Sequence, residues 1–295
     1  MTKRRNRSRI LHSYLHDPPA MIGSMIILIY FLAAILAPWI TPQNPYDLTT
    51  VSLDHFLKPP IWMEDGEAPF LLGTDDQGRG ILSTIIYGCR TSLIVGFTVV
   101  LISSCLGIIL GLVSGYYGKW IDAATMRLAD TVFSFSTTLL AILMLGVFKR
   151  SGVLTVIAAI CVANWVRYAR TMRGSVLEVK EEAYIMAAKA TGAKDFRLLF
   201  RHLLPNAIPP ILVVVAVDLA VVIMLEATLS FLGVGVPLTE PSLGMMIAIG
   251  KNYIYAGMWW MIVFPGAALI ILVVGINLFA DWLREELNPK IERNR

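Results

Sequence analysis

The sequence predicts an all-α integral membrane protein with about six transmembrane helices, and three observations carry that expectation. Of its 295 residues, 56% are hydrophobic and only 16% are charged, against about 25% charged in an ordinary soluble chain. The runs 20–40 and 258–280 contain no charged residue, and each reaches the roughly 20 residues that a helix needs to cross the hydrocarbon. The basic residues gather in short clusters beside such runs, as membrane topology requires. A net charge of +4 distributed in this way reads as orientation, and no nucleic-acid partner is expected.

Residues 1–19 carry Lys3, Arg4, Arg5, Arg7 and Arg9 against Asp17 alone, which places this segment in the cytoplasm under the positive-inside rule. The first transmembrane helix occupies 20–40. It is too long for a signal-peptide core and lacks the small-residue cleavage pattern, so it is expected to be retained. The segment 41–88 holds the acids Asp47, Asp54, Glu64, Asp65, Glu67, Asp75 and Asp76, with only Lys58 and Arg79 as bases. Its prolines at 42, 45, 59, 60 and 69 predict an irregular external surface without a core of its own.

A five-helix core is expected over 89–283. Its first helix, 91–116, carries Ser103, Gly107, Gly111 and Gly115 at intervals of four. That spacing makes one stripe of small residues along which a neighbouring helix backbone can approach closely in lipid. After a turn at Gly118-Lys119, spans are predicted at 130–148 and 152–166, with Lys149-Arg150 in a two-residue external loop. Residues 167–205 form a basic cytoplasmic loop ended by Pro205, and a span follows Pro209-Pro210 as far as Leu232. The stretch 233–257 is amphiphilic and external. The last span covers 258–280, with a kink expected at Pro265, and 284–295 form a charged cytoplasmic tail. An even number of spans returns both termini to the cytoplasm.

The chemistry that the sequence lacks narrows the function. Cys89, Cys105 and Cys161, and the four histidines, are scattered without ligand spacing, so neither a metal site nor a cofactor is expected. No G-x-x-x-x-G-K-[ST] phosphate loop is present. The stretch from Gly73 to Gly78 has the glycine spacing but no lysine, and its two carboxylates would repel phosphate. There is no H-E-x-x-H and no G-x-S-x-G, so the chain is not expected to be an enzyme. An intramembrane hydrolase would have to draw on Asp130, Asp218 and Glu226; Asp130 lies three residues after Arg127, where a local ion pair accounts for it. A secondary transporter would show internal repeats or broken helix pairs and would leave the basic loop unexplained.

That loop contains Glu182-Ala183-Tyr184-Ile185-Met186-Ala187-Ala188-Lys189-Ala190-Thr191-Gly192, followed by His202-Leu203-Leu204-Pro205-Asn206. It resembles the cytoplasmic "EAA" loop of ABC importer permeases, E-A-A, three residues, Gly, nine residues, I-x-L-P. Ala187, Ala188, Gly192, Leu204 and Pro205 fall in register, whereas Met186 and His202 replace the usual Glu and Ile. Three further stretches resemble the dipeptide, oligopeptide and nickel branch of that family. They are Leu72-Gly73-Thr74-Asp75-Asp76-Gln77-Gly78-Arg79-Gly80 with Tyr87-Gly88-Cys89-Arg90-Thr91-Ser92-Leu93, Glu226-Ala227-Thr228-Leu229-Ser230-Phe231-Leu232-Gly233-Val234-Gly235, and Asp281-Trp282-Leu283-Arg284. Gly80 stands where the family has Asp.

The resemblance implies the shorter, "C-type" permease of such importers, with the type I architecture, in a bacterial inner membrane. It implies a heterodimer with a second homologous permease, two ATP-binding subunits inside, and an extracytoplasmic substrate-binding protein. Cargo stays open among peptides, nickel chelates, glutathione, opines and sugars. The residues themselves support the division of labour: a short helix of small side chains fits a cleft in another protein, Gly192 permits the tight backbone of a turn, and Pro205 stops a helix.

Asp218 and Glu226 are the pathway candidates. Eight residues apart on one helix, they fall roughly 80° apart around it and about 12 Å along it, a separation that allows both to border one water-filled cavity, with a structural role the stronger reading for Glu226. An isolated carboxylate in hydrocarbon is costly, so Asp218 is expected to face the second permease, where it either lines the pathway and favours amine-bearing cargo or pairs with an Arg or Lys of the partner. The Glu226 carboxylate is expected to shape the turn over 229–235.

Overall fold

The computed structural model describes residues 12–47, 52–148, 152–237 and 239–287. The basic residues at 3–9, Lys149-Arg150 and the tail from 288 lie outside these. Five helices are long and apolar enough to cross a membrane, and a bent pair makes a sixth span when counted as one.

Helix α1, Pro18–Ile40, starts with proline in its first turn, where the missing N–H costs nothing. The Asp17 carboxylate caps it by accepting from the Ala20 amide at 3.1 Å. Between α1 and Ile81, residues 41–47 and 52–80 are irregular apart from a 3-10 turn at Leu53–His55. Thr74 pins this stretch: its hydroxyl donates to the His55 carbonyl at 2.5 Å and accepts from the Lys58 amide at 2.7 Å. Asp75 and Arg79 form an enclosed ion pair at 2.7 Å. Burial and then the neighbouring Asp75 push the Asp76 carboxyl above its usual range.

Helix α2, Ile81–Tyr117, starts ten residues before the predicted span, and runs for 37 residues. Helix α3, Lys119–Phe133, follows the left-handed Gly118 and Lys119, and helix α4, Thr137–Phe148, leaves it at 92°. The sequence predicted a single straight span here, starting at 130. The break falls at Ser134-Phe135-Ser136, and its hydroxyls explain it: Ser134 donates to the Thr131 carbonyl at 2.7 Å and Thr131 to that of Arg127 at 2.9 Å. Such back-bonding competes with the helical ladder and bends helices.

Helix α5, Val153–Lys180, extends fourteen residues beyond the predicted end of its span. The basic residues of α5 that argued for a loop are each taken up. Arg167 pairs with Asp218, Arg170 donates to Asp130 at 2.6 Å, Arg173 donates twice to Asp122 at 2.5 and 2.6 Å, and Lys180 donates to the Tyr116 carbonyl at 2.6 Å. The partner of Asp130 is therefore Arg170 and not, as expected, Arg127.

α2 and α5 form the most extensive helix pair. Ser103, Gly107, Gly111 and Gly115 are all buried, and the three glycines face α5 directly. A Cβ on Gly107 would lie 2.6 Å from the Trp165 carbonyl oxygen, and one on Gly111 2.7 Å from the Met172 Cβ. The stripe thus lets two helices of this one chain meet backbone to backbone.

After α5 come the short α6, Ala183–Ala190, a turn α7 at Asp195–Arg197, a π-helical stretch Leu198–Leu203 and α8, Leu204–Ala207. Helix α9, Pro209–Phe231, re-enters the bundle. The stretch predicted as amphiphilic surface holds a buried helix instead: α10, Leu243–Gly250, capped by the Ser242 hydroxyl and packed on Trp260 and Met261. Helix α11, Trp260–Glu286, runs unbroken through Pro265. Tyr30 ties α1 to it by donating to the Ala268 carbonyl at 2.8 Å.

Candidate functional site

The loop between α5 and α9 presents α6 at one end of the bundle. Glu182, in extended conformation, precedes its first turn, and Thr191 closes it by donating to the Ala188 carbonyl at 2.9 Å. Gly192 follows with φ +81°, a left-handed conformation that suits glycine. The Ala193 amide then reaches back to the Ala188 carbonyl at 3.1 Å, which completes a helix-ending turn.

One side chain of α6, Ile185, is buried and anchors it; Ala183, Met186, Ala187 and Lys189 are exposed and Ala188 is half-buried. Met186 is 58% exposed, and Phe196 and Phe200, whose tilted rings lie 4.6 Å apart, are 73% and 50% exposed. Large apolar side chains exposed in this way are candidates for a site of interaction. The π-helical stretch turns Leu198, Leu199 and Leu203 inward, while Leu204 is half-buried and Pro205 and Asn206 stand at the surface. Asn206 donates to the His202 carbonyl at 2.6 Å. Tyr116, at the end of α2, donates to Asp195 at 2.6 Å. The loop is therefore tied to the bundle by both flanking helices and by α2.

The two acids of α9 occupy different surroundings, and neither borders a water-filled cavity. Asp218 and Glu226 are 0% exposed within this single chain. Asp218 accepts from Asn164, Arg167 and Tyr168, the last at 2.7 Å. The expectation that it faces a second permease fails because α5 supplies its basic partner from within. Three donors on one carboxylate compensate the removal of its charge from water. The sequence reading did not single out those donors, although their spacing along 164–168 puts all three on the α9 side of α5.

Glu226 bridges α9 to α2. Its Oε2 accepts from Ser92 at 2.9 Å and its Oε1 from Ser230 at 2.8 Å, and the Ser230 oxygen accepts from the Val236 amide at 3.2 Å. The carboxylate thereby organises the turn after α9, where Gly233 sits at φ +79°.

Five apolar helices and a bent pair long enough to cross a membrane, with one loop of short helices at the end of the bundle, have the form of a membrane-embedded transport subunit. This chain belongs to the family described as binding-protein-dependent transport system inner membrane component, which matches residues 107–293. The N-terminal TM domain of oligopeptide transport permease C matches residues 7–60.

Among its relatives is the dipeptide transport system permease protein DppC of Haemophilus influenzae, 38% identical over 274 residues, covering 93% of this chain and 91% of that protein. The di/tripeptide transport system permease protein DppC of Pseudomonas aeruginosa is 35% identical over 280 residues, covering 95% and 91%. The oligopeptide transport system permease protein OppC of Bacillus subtilis is 36% identical over 276 residues, covering 93% and 86%.

An inward facing structure of the MetNI methionine ABC transporter matches with a TM-score of 0.57 at 21% identity, over 70% of this chain and 98% of that one. An amino acid ABC transporter matches with a TM-score of 0.55 at 16% identity, over 72% and 95%. The fold is that of ABC transporter permeases. The chain is a multi-pass membrane subunit of an ATP-driven importer. Its family consists of transport subunits rather than enzymes and implies ATPase and other partner components.

Proposed function

We propose that this chain forms half of the substrate pathway of a peptide importer in a bacterial inner membrane, with both termini in the cytoplasm. The other half is a second homologous permease. One of two ATP-binding subunits receives α6 in a cleft, and an extracytoplasmic binding protein delivers cargo at the opposite end, where α10 and the 52–80 stretch lie. Peptide cargo is favoured over nickel chelates, glutathione, opines or sugars because the three relatives described above are named as peptide permeases.

The observation that carries this reading is the geometry of α6. It is short, built largely of small side chains, exposed, and held between two helices that continue directly into the bundle. A push on α6 reaches α5 through Ile185 and the short 180–183 link, and reaches α9 through the Leu198–Leu203 packing. Nucleotide-driven movement of an ATPase thus becomes a rearrangement of the membrane helices, and the pathway opens alternately to each side. Glu182, Ala183, Met186, Ala187, Ala188, Gly192, Leu204, Pro205 and Asn206 form the coupling surface. Ser103, Gly107, Gly111 and Gly115 keep α2 and α5 together so that they move as one.

Reconstitution tests the proposal. The complete complex in proteoliposomes, supplied with its binding protein and internal ATP, is expected to accumulate a labelled tripeptide. Accumulation driven by a proton gradient without ATP, or ATP-driven uptake restricted to a sugar or a metal chelate, would contradict it.

A further inference from the structure

The Asp218 cluster leaves one group open. Arg167 gives its Nη1 to Asp218, and its other guanidinium donors have no partner among the described residues. The side chain is 46% exposed, although Asp218 lies in the tenth position of the 23-residue, strongly apolar α9. An arginine at membrane depth faces a cavity or another protein and not lipid. The helix face around it agrees: Ala163, Arg167, Thr171 and Gly174 follow at three- or four-residue intervals, with Arg167 and Gly174 exposed and Ala163 and Thr171 half-buried. The small residues Ala163, Thr171 and Gly174 leave room beside the guanidinium, and a Cβ added at Gly174 would meet nothing within 4 Å.

We propose that Arg167 binds the C-terminal carboxylate of the peptide as it passes, which deepens the peptide reading above and rests on it. A guanidinium offers paired N–H donors that match a carboxylate, and the α-carboxylate is the anion that every unmodified peptide shares whatever its side chains. Asp218 sets both orientation and strength. It anchors one edge of the guanidinium in a fixed rotamer, supported by Asn164 and Tyr168. It also cancels the net charge, so the cluster attracts an anion by directed hydrogen bonds and not by an unbalanced cation. A pathway site has to bind weakly enough to release, and a lone arginine in low dielectric would hold its anion too long.

The test uses the complete reconstituted transporter with saturating, loaded binding protein, so that the binder's own preference is constant. Initial uptake is measured for trialanine and for trialanine amide, in the wild type, Arg167→Gln and Arg167→Lys. The wild-type preference for the free acid is expected to fall roughly tenfold in Arg167→Gln, the size of one charge-assisted hydrogen bond in a partly wet site. It is expected to be partly kept in Arg167→Lys, which retains the charge and the Asp218 pair. An unchanged ratio in both variants would overturn the proposal. So would an equal loss for both peptides with reduced complex yield in both variants, which would assign Arg167 to contact with the second permease. Failure of the wild type to import either peptide would overturn the cargo reading as well, so the two failures are distinguishable.

Discussion

Glu226 shows how one enclosed carboxylate can organise a region. Its two acceptors engage Ser92 of α2 and Ser230 of its own helix, and through Ser230 the amide of Val236. Glu226→Ala would take the acceptor from both buried hydroxyl protons, leaving Ser230 only the Val236 amide, and would open a cavity. A destabilisation of about 2–4 kcal/mol is expected from stranded polar groups and lost volume, read as a fall in the melting temperature of the purified complex. Glu226→Gln keeps one carbonyl acceptor and is expected to recover much of that loss. The sequence marked both acids of α9 as unusual, because charge at membrane depth needs a reason. It could not say what surrounds them: the partners of Asp218 lie 50 to 54 residues away, and only the packing of α5 on α9 brings them together. Arg167 was legible only as one of several loop charges, so its pairing with Asp218 and its partly exposed guanidinium were missed.

At the scale of elements, the glycine stripe was the most readable feature, since four-residue spacing has one structural meaning on a helix. What it contacts was not readable. Gly107→Leu should drive a branched side chain into the Trp165 backbone and abolish accumulation in membranes. Gly146→Ala, where an added Cβ meets nothing within 4 Å, should be tolerated, and immunoblotting of membranes separates the two.

The boundaries of α5 and the bend between α3 and α4 were misjudged for physical reasons. Arginines normally signal the end of a span, but those of α5 are neutralised by acids on α3 and α9. Hydroxyl back-bonding at 131–134 carries little weight in a composition-based reading. The turn after α6 belongs to this scale too. Gly192 has open space around it, so a substitution there acts through backbone alone. The left-handed region costs an ordinary residue about 1–2 kcal/mol and a β-branched one more. Gly192→Val should therefore lower uptake severalfold while basal ATPase activity persists, whereas Gly192→Asn, which tolerates this conformation, should remain coupled. Parallel assays of peptide uptake and phosphate release check this.

For the whole molecule, long apolar runs and the loop motif made the class and family visible before any coordinate, because the bilayer admits so few spanning structures. The irregular 41–80 stretch and the buried α10 were less visible; their order comes from contacts such as Thr74 with Lys58 and Ser242 with Met245, which a pattern of prolines or mixed polarity does not encode. The central claim is that the exposed α6 surface is where force from ATP hydrolysis enters the bundle. The most direct measurement is disulfide trapping in the assembled complex, pairing Met186→Cys with cysteines placed along the cleft of the ATPase subunit, in a background lacking the native cysteines. The account predicts a crosslink that forms at high yield, arrests uptake, and releases it again on reduction. Failure of every pair to crosslink while ATP-driven uptake continues unimpaired would contradict it.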